Sequence, residues 1–148
     1  IPAWDGAAVG TIGTNTGHVT VVTYGYGANL SAGVRTELVD AMQAITYAGA
    51  TVHVNAAATT SVPVTVTVKA LAGFTSTEVQ AGVTAAINAF LDPQTWTIGD
   101  DVVPGALSAA INDVGSVDYV VSLSAPAATV TIAADAVPVA GTIAVSVT

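Results

Sequence analysis

The sequence contains no cysteine, two basic residues (Arg35 and Lys69), eight aromatic residues and one methionine in a chain of 148. Each shortage excludes something. Without cysteine there is no disulfide framework, thiol nucleophile or zinc–thiolate site. Two cations cannot neutralise a row of phosphates, which excludes a nucleic-acid partner. Every stretch of about 20 residues is interrupted by Thr, Asn, Gln or His, so no membrane-spanning helix is expected. No charged segment leading into an apolar run marks an intact signal peptide. Only 8% of residues are charged, but 52% are hydrophobic, which is too apolar for a disordered chain.

What is present is small and mostly β-branched. There are 29 Ala and 25 Val, which make up 54 of the 77 apolar residues, and 21 Thr besides. Ten acids set the formal net charge at −8. A chain of this size buries roughly two-thirds of its unfolded surface, enough for one domain or two small subdomains. It starts Ile1-Pro2, without Met. We read it as the C-terminal piece of a longer chain, or else a processed product.

Residues 1–17 are rich in Gly, Thr and Asn, without a period, and are expected to be loop. His18 to Tyr24 alternates toward a strand through Val19 and Val21. Leu30, Val34, Leu38, Met42 and Ile45 then recur at helical spacing. Asn29 or Ser31 is a fitting N-cap, and Gly49 a fitting end. Thr51-Val52-His53-Val54-Asn55 alternates as a half-buried strand. Residues 56–61 are expected to be a small-residue linker. Val62, Val64, Val66 and Val68 form the clearest strand, in which Pro63 fits only the start or an edge. Thr75-Ser76-Thr77-Glu78 spells a capping box. It opens a helix with Val79, Val83, Ile87 and Phe90 inward and Leu91 beside them, stopped by Asp92-Pro93. Residues 94–103 read as an irregular arm. A third helix is expected from Pro104 to Val114, with Leu107, Ile111 and Val114 inward and Gly115 as its cap. In the closing β region Val117, Tyr119, Val121 and Leu123 share a face. Val130 and Ile132 mark a further strand, and Ile143, Val145 and Val147 the last. Asp135 to Pro138 and Gly141 are expected to supply the turn between those two. The order strand, loop, helix, extended segment occurs twice, a weak internal echo that any two βα units would show.

Little here can carry chemistry. Asp100-Asp101 is the sole adjacent acidic pair. Neighbours in extended chain point opposite ways, so the pair reads as a polar turn before a helix rather than as a glycosidase or metal pair. Asp113 and Asp118 do not complete a calcium-loop spacing with it. His18 and His53 are the only imidazoles, and His53 lies on the wet face of its strand. Gly25-Tyr26-Gly27-Ala28-Asn29-Leu30 has Leu30 where a dinucleotide fingerprint needs its third glycine. No serine elbow or phosphate-cradling Gly-Lys-Ser/Thr loop exists. Asn29-Leu30-Ser31 is a glycosylation triplet of the kind that arises by chance. Trp96 has two readings: a core plug packed on Phe90, or an anchor in a subunit interface.

Gly17-His18-Val19-Thr20-Val21-Val22, the helix from Val34 to Ala44, and Ala50 to Ala57 follow one another in a telling order. So do Val64 to Val68, the helix from Val79 to Leu91, Phe90-Leu91-Asp92-Pro93, Ile98-Gly99-Asp100-Asp101-Val102, and Leu107-Ser108-Ala109-Ala110-Ile111. Val114-Gly115-Ser116-Val117-Asp118-Tyr119-Val120 and Val137 to Ile143 complete the series. Over roughly 130 residues this order resembles the baseplate J-like family, wedge proteins of contractile phage tails and related injection machines. The family's valine-glycine-valine turn is broken here by Ser116. The resemblance implies a structural subunit with no catalytic residues to carry over, one through which conformational change at firing is transmitted.

The expected fold is α+β: two small βαβ-type units with three helices and a C-terminal β-hairpin. Residues 1–17 would form a loop segment, 18–61 the first unit and 62–148 the second. The expected function is that of a baseplate wedge component, not an enzyme, without cofactor or metal. It would contact copies of itself and other baseplate subunits, with no nucleic acid and no membrane insertion. Its place would be a virion tail baseplate or injection particle, and its synthesis in the host cytoplasm. Candidate interface residues are Trp96, Ile98 and Tyr119. The main alternative is an adhesin-like, mainly β surface-binding module, and after it a hydrolase.

Overall fold

The computed structural model describes residues 31–45 and 51–148, and residues 18–23 by backbone alone. Among them are five strands and three helices: β1 (His18–Thr23), α1 (Ala32–Ile45), β2 (Thr51–Ala56), β3 (Ala58–Ala70), α2 (Ser76–Phe90), α3 (Pro104–Asn112), β4 (Val117–Ala125) and β5 (Ala136–Val147). The fold is α+β, as expected. The chain divides into two compact units. The first takes the described residues up to Thr59 with Pro93–Asp100 and Ala133–Val137; the second takes Thr60–Asp92, Asp101–Ile132 and Pro138–Thr148.

In the first unit β1 and β2 pair in parallel, Val19 beside Val52 and Val21 beside Val54. Parallel neighbours need a crossover, and α1 supplies it. Ser31 caps α1: its hydroxyl accepts from Val34 N–H at 3.4 Å, and its carbonyl from Arg35 N–H at 3.0 Å. Leu38 is buried and Val34 and Met42 half-buried, but Ile45 is 86% exposed, so the inward stripe stops one turn early. The expected helix end at Gly49 lies outside the described residues. On β2, Val52 is buried while His53 and Asn55 are exposed, and Gln43 Oε1 accepts from Val52 N–H at 3.1 Å. Residues 56–61 are not a linker: β3 begins at Ala58, after the buried Ala57. Ala58 N–H is held by Asp135 O at 2.9 Å, and small side chains let these backbones close up.

The second unit is built on β3. Val62, Val64, Val66 and Val68 are all at most 1% exposed, as strict alternation predicts. Val79, Val83 and Ile87 of α2, with Leu91, and Leu107 and Ile111 of α3 are equally buried. Each such side chain contributes about 1.5–3 kcal/mol when removed from water. Leu91, not Phe90, is the fully buried residue at the end of α2. α3 is capped at its C-terminus by Asp113 in a right-handed conformation rather than by Gly115.

The sheet order is β4-β3-β5. β3 and β4 are antiparallel. Pairing with β4 begins at Thr65, so no β4 residue stands opposite Pro63 and its missing N–H is tolerated there. The register slips at three places: Thr65 to Val66 on β3 faces Ala125 to Leu123, Thr67 to Val68 faces Ser122 to Val120, and Lys69 to Ala70 faces Tyr119 to Val117. Each slip adds a residue to β4, and each bulge turns the following side chains to the other face. This overturns the expected common face of β4. Val117 is buried and Leu123 half-buried, but Tyr119 and Val121 are 52% and 50% exposed.

The closing strands also differ from expectation. Val130 forms only an isolated bridge with Val102, and Ile132 lies outside any strand. Asp101 Oδ1 accepts from Ile132 N–H at 2.8 Å, which holds that segment instead. Gly141 lies inside β5 rather than in a turn. β5 runs alongside β3 in the same direction. Thr148 N–H donates to Val68 O at 3.0 Å and its carbonyl accepts from Ala70 N–H at 3.1 Å, while Gly141 sits against Ser61 and Val62. In place of the expected hairpin, β4 and β5 flank β3 on opposite sides.

The capping box of α2 forms as read. Thr75 N–H and Oγ1 donate to Glu78 Oε2 at 2.8 and 2.7 Å, and Thr75 Oγ1 accepts from Glu78 N–H at 3.3 Å. The Thr75 backbone bond, then its side-chain bond, hold the Glu78 carboxyl below its ordinary 4.5. A carboxyl depressed in the folded state stabilises above its unfolded value, and that gain is lost as pH falls through the lower folded value. Thr75→Ala should cost roughly 1 kcal/mol at neutral pH. In urea unfolding, the gap to wild type should narrow as the solution is acidified through the Glu78 titration.

Candidate assembly surfaces

The exposed large apolar side chains point to contacts rather than chemistry. Asp92-Pro93 ends α2 and starts the arm that carries Trp96 and Ile98. Asp100 N–H donates to Thr97 O at 3.1 Å, closing a turn in which Gly99 takes φ +83°. A side chain at Gly99 would meet the Ala134 backbone at 3.2 Å. Trp96 Nε1–H donates to Asp100 O at 2.9 Å, so the half-buried indole is tied to this turn. Ile98 packs on the buried pair Ala57 and Val137 of its own unit. Trp96 and Ile98 therefore lie in the first unit and Tyr119 in the second.

Tyr119 stands beside Lys69 across the β3–β4 ladder, next to the Ala70–Val117 pair. Leu71 continues that end, its N–H donating to Ser116 O at 3.0 Å. Sequence reasoning passed over Leu71 and Phe74, which are 41% and 45% exposed. The signal was two large apolar residues in the short loop before a capped helix. Val121 was missed because the β4 bulge turns it outward.

The residues weighed for catalysis are otherwise engaged or apart. Asp100 lies in the Thr97 turn, and the Asp101 carboxylate holds Ile132 N–H. His53 is on the exposed face of β2. The side chain of His18 and the segment 24–30, with its glycines and its glycosylation triplet Asn29, lie outside the described residues.

Residues 62–146 match the family model of the Baseplate J-like protein C-terminal domain, more than half of the 148 residues. The chain belongs to the baseplate J-like family. The match in this baseplate J-like chain runs from Val62, the first valine of the alternating β3 run, to Ser146, the last residue but one of β5. Its fold is also similar to a chain in the cryo-EM structure of the anti-feeding prophage (AFP) baseplate, 6-fold symmetrised, at TM-score 0.69 and 15% identity. That likeness covers 82% of this chain and 29% of the other, so the baseplate J-like chain spans under a third of that relative's length. No curated protein matches it. Ser116, the departure from the family's turn, is accommodated within a turn closed by Val117 N–H on Val114 O at 2.9 Å.

Proposed function

We propose that this chain is a wedge component of the baseplate in a contractile phage tail or injection particle. It acts through contacts with copies of itself and with other baseplate subunits, and not by catalysis. The family match over residues 62–146 carries this reading. Large apolar side chains left half-exposed in a chain with only 8% charge support it, because interface cores are depleted in charge and enriched in aromatics. Trp96, Ile98 and Tyr119 are the proposed contact residues. The protein is made in the host cytoplasm and ends in the particle, without nucleic-acid contact or membrane insertion. Among the described residues no helix is long and apolar enough to cross a membrane. An adhesin-like module is disfavoured by helices of 14, 15 and 9 residues.

Complementation of particle-producing cells that lack the chain tests the reading. The wild-type chain should be recovered in purified particles. Trp96→Ala should be recovered at least about tenfold less while keeping its circular dichroism. Absence of the wild-type chain from particles sinks the wedge assignment. A Trp96→Ala chain that does not fold returns Trp96 to a core role.

A further inference from the structure

Two edges bound the β4–β3–β5 sheet, and they are dressed differently. The β4 edge is bulged three times, carries Asp118, and has its Val120 N–H donated to Asn112 Oδ1 at 2.9 Å. Such features keep an edge from pairing with another chain. β5 lacks that dressing. Its 12 residues include no charged side chain, its single proline is Pro138 near the start, and among the described residues its one strand neighbour is β3.

The outward groups of β5 follow from its pairing. Thr148, just past its end, uses both N–H and C=O toward β3. Backbone groups alternate sides along a strand, so Ile143, Val145 and Val147 direct theirs away from β3. Gln80 agrees: from α2 its Nε2 donates to Val145 O at 3.2 Å.

We propose that the outer edge of β5 pairs with the same edge of a second copy of this chain, antiparallel and two-fold. Val145 then faces its own counterpart and Ile143 faces Val147. This register uses the outward groups of all three residues in both copies, about six hydrogen bonds, and a two-fold contact requires such self-matching. Val–Val and Ile–Val neighbours across the strands favour it. Charge selects the place: copies carrying −8 each repel, and they meet at least cost along a segment with no charge. Gln80 is an exposed side chain covering one carbonyl, and it swings aside. The inference rests on the proposed contacts between copies and says where one of them forms.

Sedimentation equilibrium of the 148-residue chain tests it. A monomer–dimer equilibrium is expected that tightens as salt rises from roughly 0.02 to 0.5 M, because screening weakens the repulsion. Val145→Pro removes an outward N–H and leaves the alternate residues that bond β3. It should raise the dimer dissociation constant at least about tenfold, with circular dichroism unchanged. Ser146→Glu brings two carboxylates near the two-fold axis, should do the same, and decides the matter if the proline variant does not fold. Ser122→Glu adds the same charge at an exposed position of the opposite edge strand and should leave the equilibrium unchanged. The proposal is overturned by a monomer at every salt up to millimolar chain, by a wild-type dimer constant in folded Val145→Pro or Ser146→Glu, or by loss of the dimer in Ser122→Glu alone. A chain that enters particles yet stays monomeric overturns the edge pairing alone. One that dimerises through β5 but is missing from particles overturns the wedge reading alone.

Discussion

Ile87→Ala should lower the stability of the second unit by about 2–5 kcal/mol, a large part of the roughly 5–15 kcal/mol that holds a domain folded. Ile87 is fully buried on α2, in line with the equally buried Val79 and Val83. Truncation removes apolar area from the core and leaves a cavity that a packed helix cannot close. Urea unfolding should show a sharply lower midpoint at an unchanged slope. Ile45→Ala is the internal comparison, since the same residue type is 86% exposed there. It should change stability by no more than about 0.5 kcal/mol. Similar costs at the two positions would mean that the inward face of α2 has been misidentified.

Gly141→Ala should be the next most damaging single change, at about 1–3 kcal/mol. A Cβ at this position would come within 2.6 Å of Ser61 Oγ and 3.1 Å of the Val62 carbonyl carbon and oxygen. The hydroxyl can rotate away, but the Val62 backbone belongs to the central strand and cannot move without disturbing its neighbours. Ser61→Ala combined with Gly141→Ala should therefore recover part of the loss and not all of it, measured as a double-mutant cycle. Full recovery would mean that the backbone approach is not limiting. No recovery would mean that Ser61 is not involved. A glycine placed in a turn by the sequence thus acts as the place where two parallel strands come together.

Local signals were legible where one element decides the outcome alone. The Thr75–Glu78 capping box, the alternation of Val62 to Val68, Pro104 at the start of α3 and the stop at Asp92-Pro93 depend on nearest neighbours along the chain. Ser31 as the cap of α1 is of the same kind. The candidate contact residues were legible only in part. Tyr119 is exposed because a bulge turns it, and a period of two cannot foresee a bulge. Leu71 and Phe74 lie in a loop, where apolar periodicity has nothing to say. The end of the α1 stripe at Met42 depends on what the helix meets, and Ile45 meets solvent.

By itself, the sequence determined the α+β class, the three helices and the baseplate J-like resemblance, because these rest on period, capping and the order of segments. It also excluded phosphate binding by a row of cations, because only Arg35 and Lys69 are available. Only the tertiary structure decided that β5 joins β3 rather than forming a hairpin, that Val130 and Ile132 are held by a bridge and by Asp101, and which side chains of β4 face outward. Those outcomes turn on strand partners distant in sequence. The hydrogen bonds that select them are backbone groups common to every residue, so no side-chain pattern announces them.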